Sequence, residues 1–118
     1  MAESTIAQIF GTGATRLASG ATTSSAGLFI PDSALQAAGL ATPTTASAEG
    51  HFAAVTLNAQ SYLTQANFDA NTDQSIYLAN GFSSFTTRGT NNDPYRVDQL
   101  TINFAKLDDS STLDPDNY

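Results

Sequence analysis

Histidine is the side chain most able to move a proton near neutral pH, and this chain has a single one, His51. Neither a two-histidine metal site nor a two-histidine, one-carboxylate triad can be built from it. A serine nucleophile would need His51 as its base, yet His51 follows Gly50 at the predicted start of a strand, and no G-x-S-x-G turn is present. His51 therefore reads as a surface or strand-edge residue. Cysteine is absent, which removes disulfides, thiolate chemistry and zinc–thiolate sites. Gly11-Thr12-Gly13-Ala14-Thr15-Arg16 begins like a dinucleotide fingerprint, but Arg16 stands where the third glycine belongs. No strand is predicted before it and no long helix after it, so that reading fails. Asp69-Ala70-Asn71-Thr72-Asp73 has the first oxygen-ligand spacings of a calcium loop, with Gln74 in place of the turn glycine and Asn80 in place of the bidentate glutamate. The remaining acids lie mostly beside Asn, Pro or Gly, where carboxylates cap turns and face water. The expectation is a non-enzyme with no catalytic, cofactor-binding or metal-binding residues.

Composition narrows the partners. Eleven acids oppose Arg16, Arg88, Arg96 and Lys106, for a net charge of −7 over 118 residues. Such a chain repels phosphate backbones and anionic lipid, so neither nucleic acid nor membrane is expected as a partner. Charged residues are only 13% of the chain, about half the usual share, so solubility rests on Ser, Thr, Asn and Gln. No basic segment followed by an apolar stretch opens the sequence, and no apolar run has membrane-spanning length. The expected place of synthesis is a cytoplasm.

The elements that must position these residues read as mainly β. Ile6, Ile9 and Phe10 fall at helical spacing after Ser4 or Thr5 as N-cap, with Gly11 and Gly13 as stops. So short a helix needs a docking surface, either the domain's own core or a neighbouring subunit. Residues 14–25 read as a weak edge strand or loop. Pro31 and Asp32 open a helical turn that Gly39 ends. Residues 41–50 and 64–73 read as loops, and residues 52–63 as the first long strand, with both faces against protein. Asn80-Gly81, between Ser75-Ile76-Tyr77-Leu78-Ala79 and the run 82–88, is a strong hairpin signal of type I′. Asn91-Asn92-Asp93-Pro94 marks a second turn, flanked by Arg88 and Arg96 with Asp93 and Asp98 nearby as cross-strand or rim charges. Beyond it Leu100, Ile102 and Phe104 alternate with Thr101, Asn103 and Ala105. The apolar clusters at 6–10, 28–30, 52–63, 76–85 and 95–107 are the predicted core.

The expected architecture is a single antiparallel β-sandwich or jelly-roll-like domain with one or two short helical turns and extended termini. Residues 1–13 form an N-terminal arm, 14–107 the β domain and 108–118 an acidic tail. The tail reads first as solvated chain, and otherwise as an arm in which Leu113 and Tyr118 anchor on a neighbour's groove. Ile6, Ile9, Phe10, Leu113 and Tyr118 are the candidate interface residues.

Phe82-Ser83-Ser84-Phe85-Thr86-Thr87-Arg88-Gly89, together with Tyr95-Arg96-Val97-Asp98-Gln99-Leu100-Thr101-Ile102-Asn103-Phe104, resembles the small virion structural proteins of tailed phages, particularly those infecting cyanobacteria. The likeness covers the second half of the chain and is one of style more than of a defined motif. It implies a virion location and a capsid decoration (cement) protein that binds the major capsid protein in symmetric copies. Tail, baseplate, neck or fibre-attachment roles are the alternative, with tail subunits as partners and a homo-oligomer in either case. A carbohydrate- or cell-surface-binding module using Tyr62, Tyr77 and Tyr95 as stacking faces is a further reading.

Overall fold

A computed structural model describes residues 3–108 and 112–118. It contains 34% helix and 18% strand, the latter in two small two-stranded sheets, so the expected β-sandwich is wrong. The chain divides into two compact units, Met1–Asn58 and Ala59–Tyr118.

The first unit is helical. Helix α1, Ile6–Phe10, starts at Thr5, whose hydroxyl accepts the Gln8 N–H while the Gln8 side chain accepts the Thr5 N–H. This reciprocal capping box fixes the start, and Gly11, at φ 114°, ends it by donating to the Ala7 carbonyl. Helix α2, Asp32–Ala37, follows Pro31. It closes in a Schellman motif: Leu40 N–H donates to Leu35 C=O, Gly39 N–H donates to Gln36 C=O, and Gly39 takes the positive φ the motif needs.

Residues 52–63, expected as a strand, lie mostly in helix α3, Ala48–Tyr62. Ser47 caps it by accepting the Gly50 N–H at 3.1 Å. Ala48, Ala53, Ala54, Leu57, Ala59 and Gln60 all favour helix, and the 15-residue length suits a helix better than a strand. The apparent alternation misled because alanine counts as apolar in either period. The buried positions Ala48, His51 and Ala54 recur every three residues, as one helix face requires. The predicted loop at 41–50 contains a 3₁₀ turn, Pro43–Thr45, and the start of α3.

In the second unit, helix α4, Gln65–Ala70, occupies most of the other predicted loop, capped by Thr64 on the Asn67 N–H. Strands β1 (Ile76–Asn80), β2 (Ser84–Arg88), β3 (Asp93–Val97) and β4 (Leu100–Phe104) follow. Asn80-Gly81 is not a hairpin turn. β1 pairs antiparallel with β4 and β2 with β3, and neither Asn80 nor Gly81 has positive φ. The chain reverses instead at residues 89–92, where Gly89 (φ 83°) and Asn92 (φ 53°) do. Asp93 and Pro94 belong to β3, so the second turn lies slightly earlier than expected.

Cross-strand chemistry accounts for the outcome. The observed register sets Ile76 opposite Phe104 and Leu78 opposite Ile102, whereas a turn at Asn80-Gly81 would set Leu78 opposite Ser83. Residues 76–104 thus form one nested ribbon. Three residues, 81–83, face two, 98 and 99, so the register shifts by one at a bulge-like interruption. Gly81 N–H donates to Gln99 C=O there, and Phe82 N–H to the Gln99 side chain.

The core is small. Among the described residues Leu35, Pro43, Ala48, Ala54 and Leu78 are the buried apolar side chains, and none is fully enclosed. Three of these, Leu35, Pro43 and Ala48, lie outside every predicted core cluster, while Leu28 is 90% exposed and Phe29 68%. Leu78 is held from both sides in the second unit, in register with Ile102 and donating its N–H to Leu63 C=O.

Candidate functional site

His51 is buried in the first turn of α3, not at a surface or strand edge. Its Nδ1 lies 2.8 Å from the Ser47 carbonyl, and its Nε2 lies 2.6 Å from Arg16 Nη1. A carbonyl only accepts and a guanidinium only donates, so the ring is the neutral tautomer with its hydrogen on Nδ1. Arg16 also donates through Nη2 to both oxygens of Asp32 at 2.6 and 2.8 Å. One guanidinium therefore ties the irregular segment after α1 to the first turns of α2 and α3. Both ring nitrogens are committed to these partners, and among the described residues no serine or threonine hydroxyl is bonded to Nε2. This is a structural clamp.

The second unit offers a surface of another kind. Every residue of β2 and β3 is exposed, and each strand has no other ladder partner among the described residues. Phe82 and Phe85 are 89% and 78% exposed, and Tyr95 and Val97 also face solvent. The polar groups of the ribbon are organised around them. The Arg88 guanidinium lies over the Tyr95 ring at 5.1 Å. Arg96 Nε donates to Asp98 at 2.8 Å, and Ser83 bonds both. Of the expected cross-strand charges, Arg88 stands opposite Asp93 in the register, whereas Arg96 bonds Asp98 two residues along the chain. The Arg96 hydrogen bond, followed by that from Ser83, holds the Asp98 carboxyl below its ordinary range.

The five candidate interface residues fall into separate places. Ile6, Ile9 and Phe10 lie on α1, Phe10 with its ring centroid 6.5 Å from that of Phe52. Leu113 is exposed, and Tyr118 packs edge-on against Phe104 at 5.2 Å. Met1, Ala2 and residues 109–111, parts of the predicted arm and tail, lie outside the described residues. The three tyrosines offered as stacking faces diverge in role: Tyr62 is exposed, Tyr77 packs on Phe68 at 4.9 Å and Tyr95 sits beneath Arg88. In the calcium-like segment Asp69 ends within α4, and Asn71 Oδ1 accepts the Asp73 N–H, a local turn. The clamp and the ribbon edge escaped sequence reasoning. A usable signal for the second was the Gly89-Thr90-Asn91-Asn92 run, which competes with Asn80-Gly81 as a turn.

No family model, curated protein or solved structure matches this chain.

Proposed function

We propose that this chain is a non-enzymatic structural protein of a tailed-phage virion, completed by docking into the particle, with capsid decoration as the first assignment. The observation that carries it is a surplus of surface. The chain exposes 9276 Å². Even two separate compact bodies of half its mass would together expose only about 7,400 Å². The surplus is apolar in the relevant places: seventeen large hydrophobic side chains are exposed against five buried apolar residues, among the described residues. A monomer that worked alone would seldom leave so much uncovered.

Burying Phe82 and Phe85 against a partner contributes about 1.5–3 kcal/mol each. Contacts this weak hold when many copies engage one lattice at once. The virion assignment itself draws on the likeness of the 82–89 and 95–104 segments to small phage structural proteins, with tail, baseplate, neck or fibre attachment as the alternative. Quantitative mass spectrometry of purified particles tests both. A copy number comparable with the major shell protein is expected for decoration, and a far lower one for a tail fitting. A Phe82→Ser, Phe85→Ser double variant is expected to be depleted from particles. Full occupancy by that variant, or absence of the native chain from particles, would overturn the reading.

A further inference from the structure

We propose that the outer edge of β2 pairs antiparallel with β2 of a second copy, centred on Thr86, to give a two-fold symmetric four-stranded sheet in the order β3-β2-β2-β3. It deepens the assembly reading by naming the chain itself as a partner, and rests on that reading only in taking the ribbon for an assembly surface.

The register selects β2 and its free groups. In an antiparallel ladder, opposed residues alternate between exchanging two hydrogen bonds and exchanging none. Thr87 stands opposite Pro94, which has no N–H to donate, so that pair is a non-bonded one. The N–H and C=O of Thr87 therefore point away from β3, as do those of Phe85, two residues back. By the same alternation Pro94 faces outward on β3 and leaves a missing donor in that edge. β2 is the intact edge.

That edge is self-complementary. With Thr86 on the two-fold axis, Phe85 of one copy meets Thr87 of the other, and both pairs exchange two hydrogen bonds. Arg88 falls opposite Ser84, so no like charges are juxtaposed. The two Arg88 side chains are anchored roughly 13 Å apart along the strands, beyond the screening length of about 8 Å at physiological salt. Charge placement permits a second copy here. Within residues 76–104, Arg88 and Arg96 balance Asp93 and Asp98, so the whole net charge of −7 lies outside the ribbon. The two ribbons themselves therefore meet with no net charge on either.

Single-cysteine variants of the full chain test the register, because the native chain has no thiol. Thr86 on the axis would face its own copy as a non-hydrogen-bonded pair, with Cα atoms about 4.5 Å apart, within disulfide reach. Under mild oxidation T86C is expected to form covalent dimer roughly tenfold faster than S84C, whose own copy lies several residues away. Equal rates, or no dimer from either, would overturn the proposal. Thr87→Pro removes an outward donor at a position that tolerates proline, and sedimentation velocity is expected to show monomer with an unchanged circular dichroism spectrum. Retained dimer would also overturn it. Cross-linking by a chain missing from particles would leave this pairing standing and remove the virion role; particle incorporation without cross-linking would do the reverse.

Discussion

Arg16 carries more of the first unit's order than its place in an irregular segment suggests. Its guanidinium satisfies a buried imidazole and a carboxylate at once. Arg16→Leu leaves His51 Nε2 buried without a donor, which costs about 1–3 kcal/mol. The Asp32 share of that loss is small, because the Arg16 and Asp32 side chains are 28% and 44% exposed and water screens the pair. The expected outcome is a lower urea midpoint for hydrogen-exchange protection in α2 and α3, with Asp32→Asn giving a smaller shift. An unchanged midpoint would mean the clamp contributes nothing to stability. Little of this was legible in the sequence. Arg16 drew notice only as the residue spoiling a glycine motif, and nothing in the spacing of Arg16, Asp32 and His51 brings them together without the turns between them.

At the scale of elements, glycine separates local from tertiary control. Gly11 and Gly39 end helices as their sequence positions indicate, because a helix end and its cap are settled within a few residues. Gly81 behaves differently. It was expected to supply a positive φ, yet it has none; it donates its N–H to Gln99 C=O just past the end of β1, with the Gln99 side chain directly over it. A Cβ there would lie 2.5 Å from the Gln99 amide oxygen and 2.7 Å from its carbons. In Gly81→Ala the flexible glutamine side chain swings away and the Phe82 N–H loses its acceptor, at a cost of about 1 kcal/mol. Faster amide exchange at Phe82 with an intact β1–β4 ladder is the expected signature. Collapse of the whole ribbon in that variant would instead restore Asn80-Gly81 as the turn.

For the whole molecule, self-association sets paired hydrogen bonds and aromatic contact against repulsion between two copies that each carry −7. Salt weakens only the repulsion appreciably, since the screening length falls from about 30 Å at 0.01 M to about 3 Å at 1 M. The dimer fraction in sedimentation velocity is therefore expected to rise with sodium chloride at fixed protein concentration. A fall would point to an interface held by ion pairs between opposite charges. The Arg96–Asp98 bond lies within one copy, so its screening does not reverse that expectation.

Local chemistry decided what a few adjacent residues can settle by themselves. The Thr5 cap, the Pro31–Gly39 bounds of α2, the lack of thiols and the acidic balance all stand in the sequence, because each depends on residues within a turn or on composition alone. The helical state of residues 52–62 also stood in its alanine-rich propensity, although the apolar alternation hid it, whereas the pairing of β1 with β4 and the meeting of Arg16 with His51 were decided by tertiary structure. Two turn signals competed for the ribbon, and only the gain from setting Ile76 and Leu78 against Phe104 and Ile102, more than twenty residues away, chose between them.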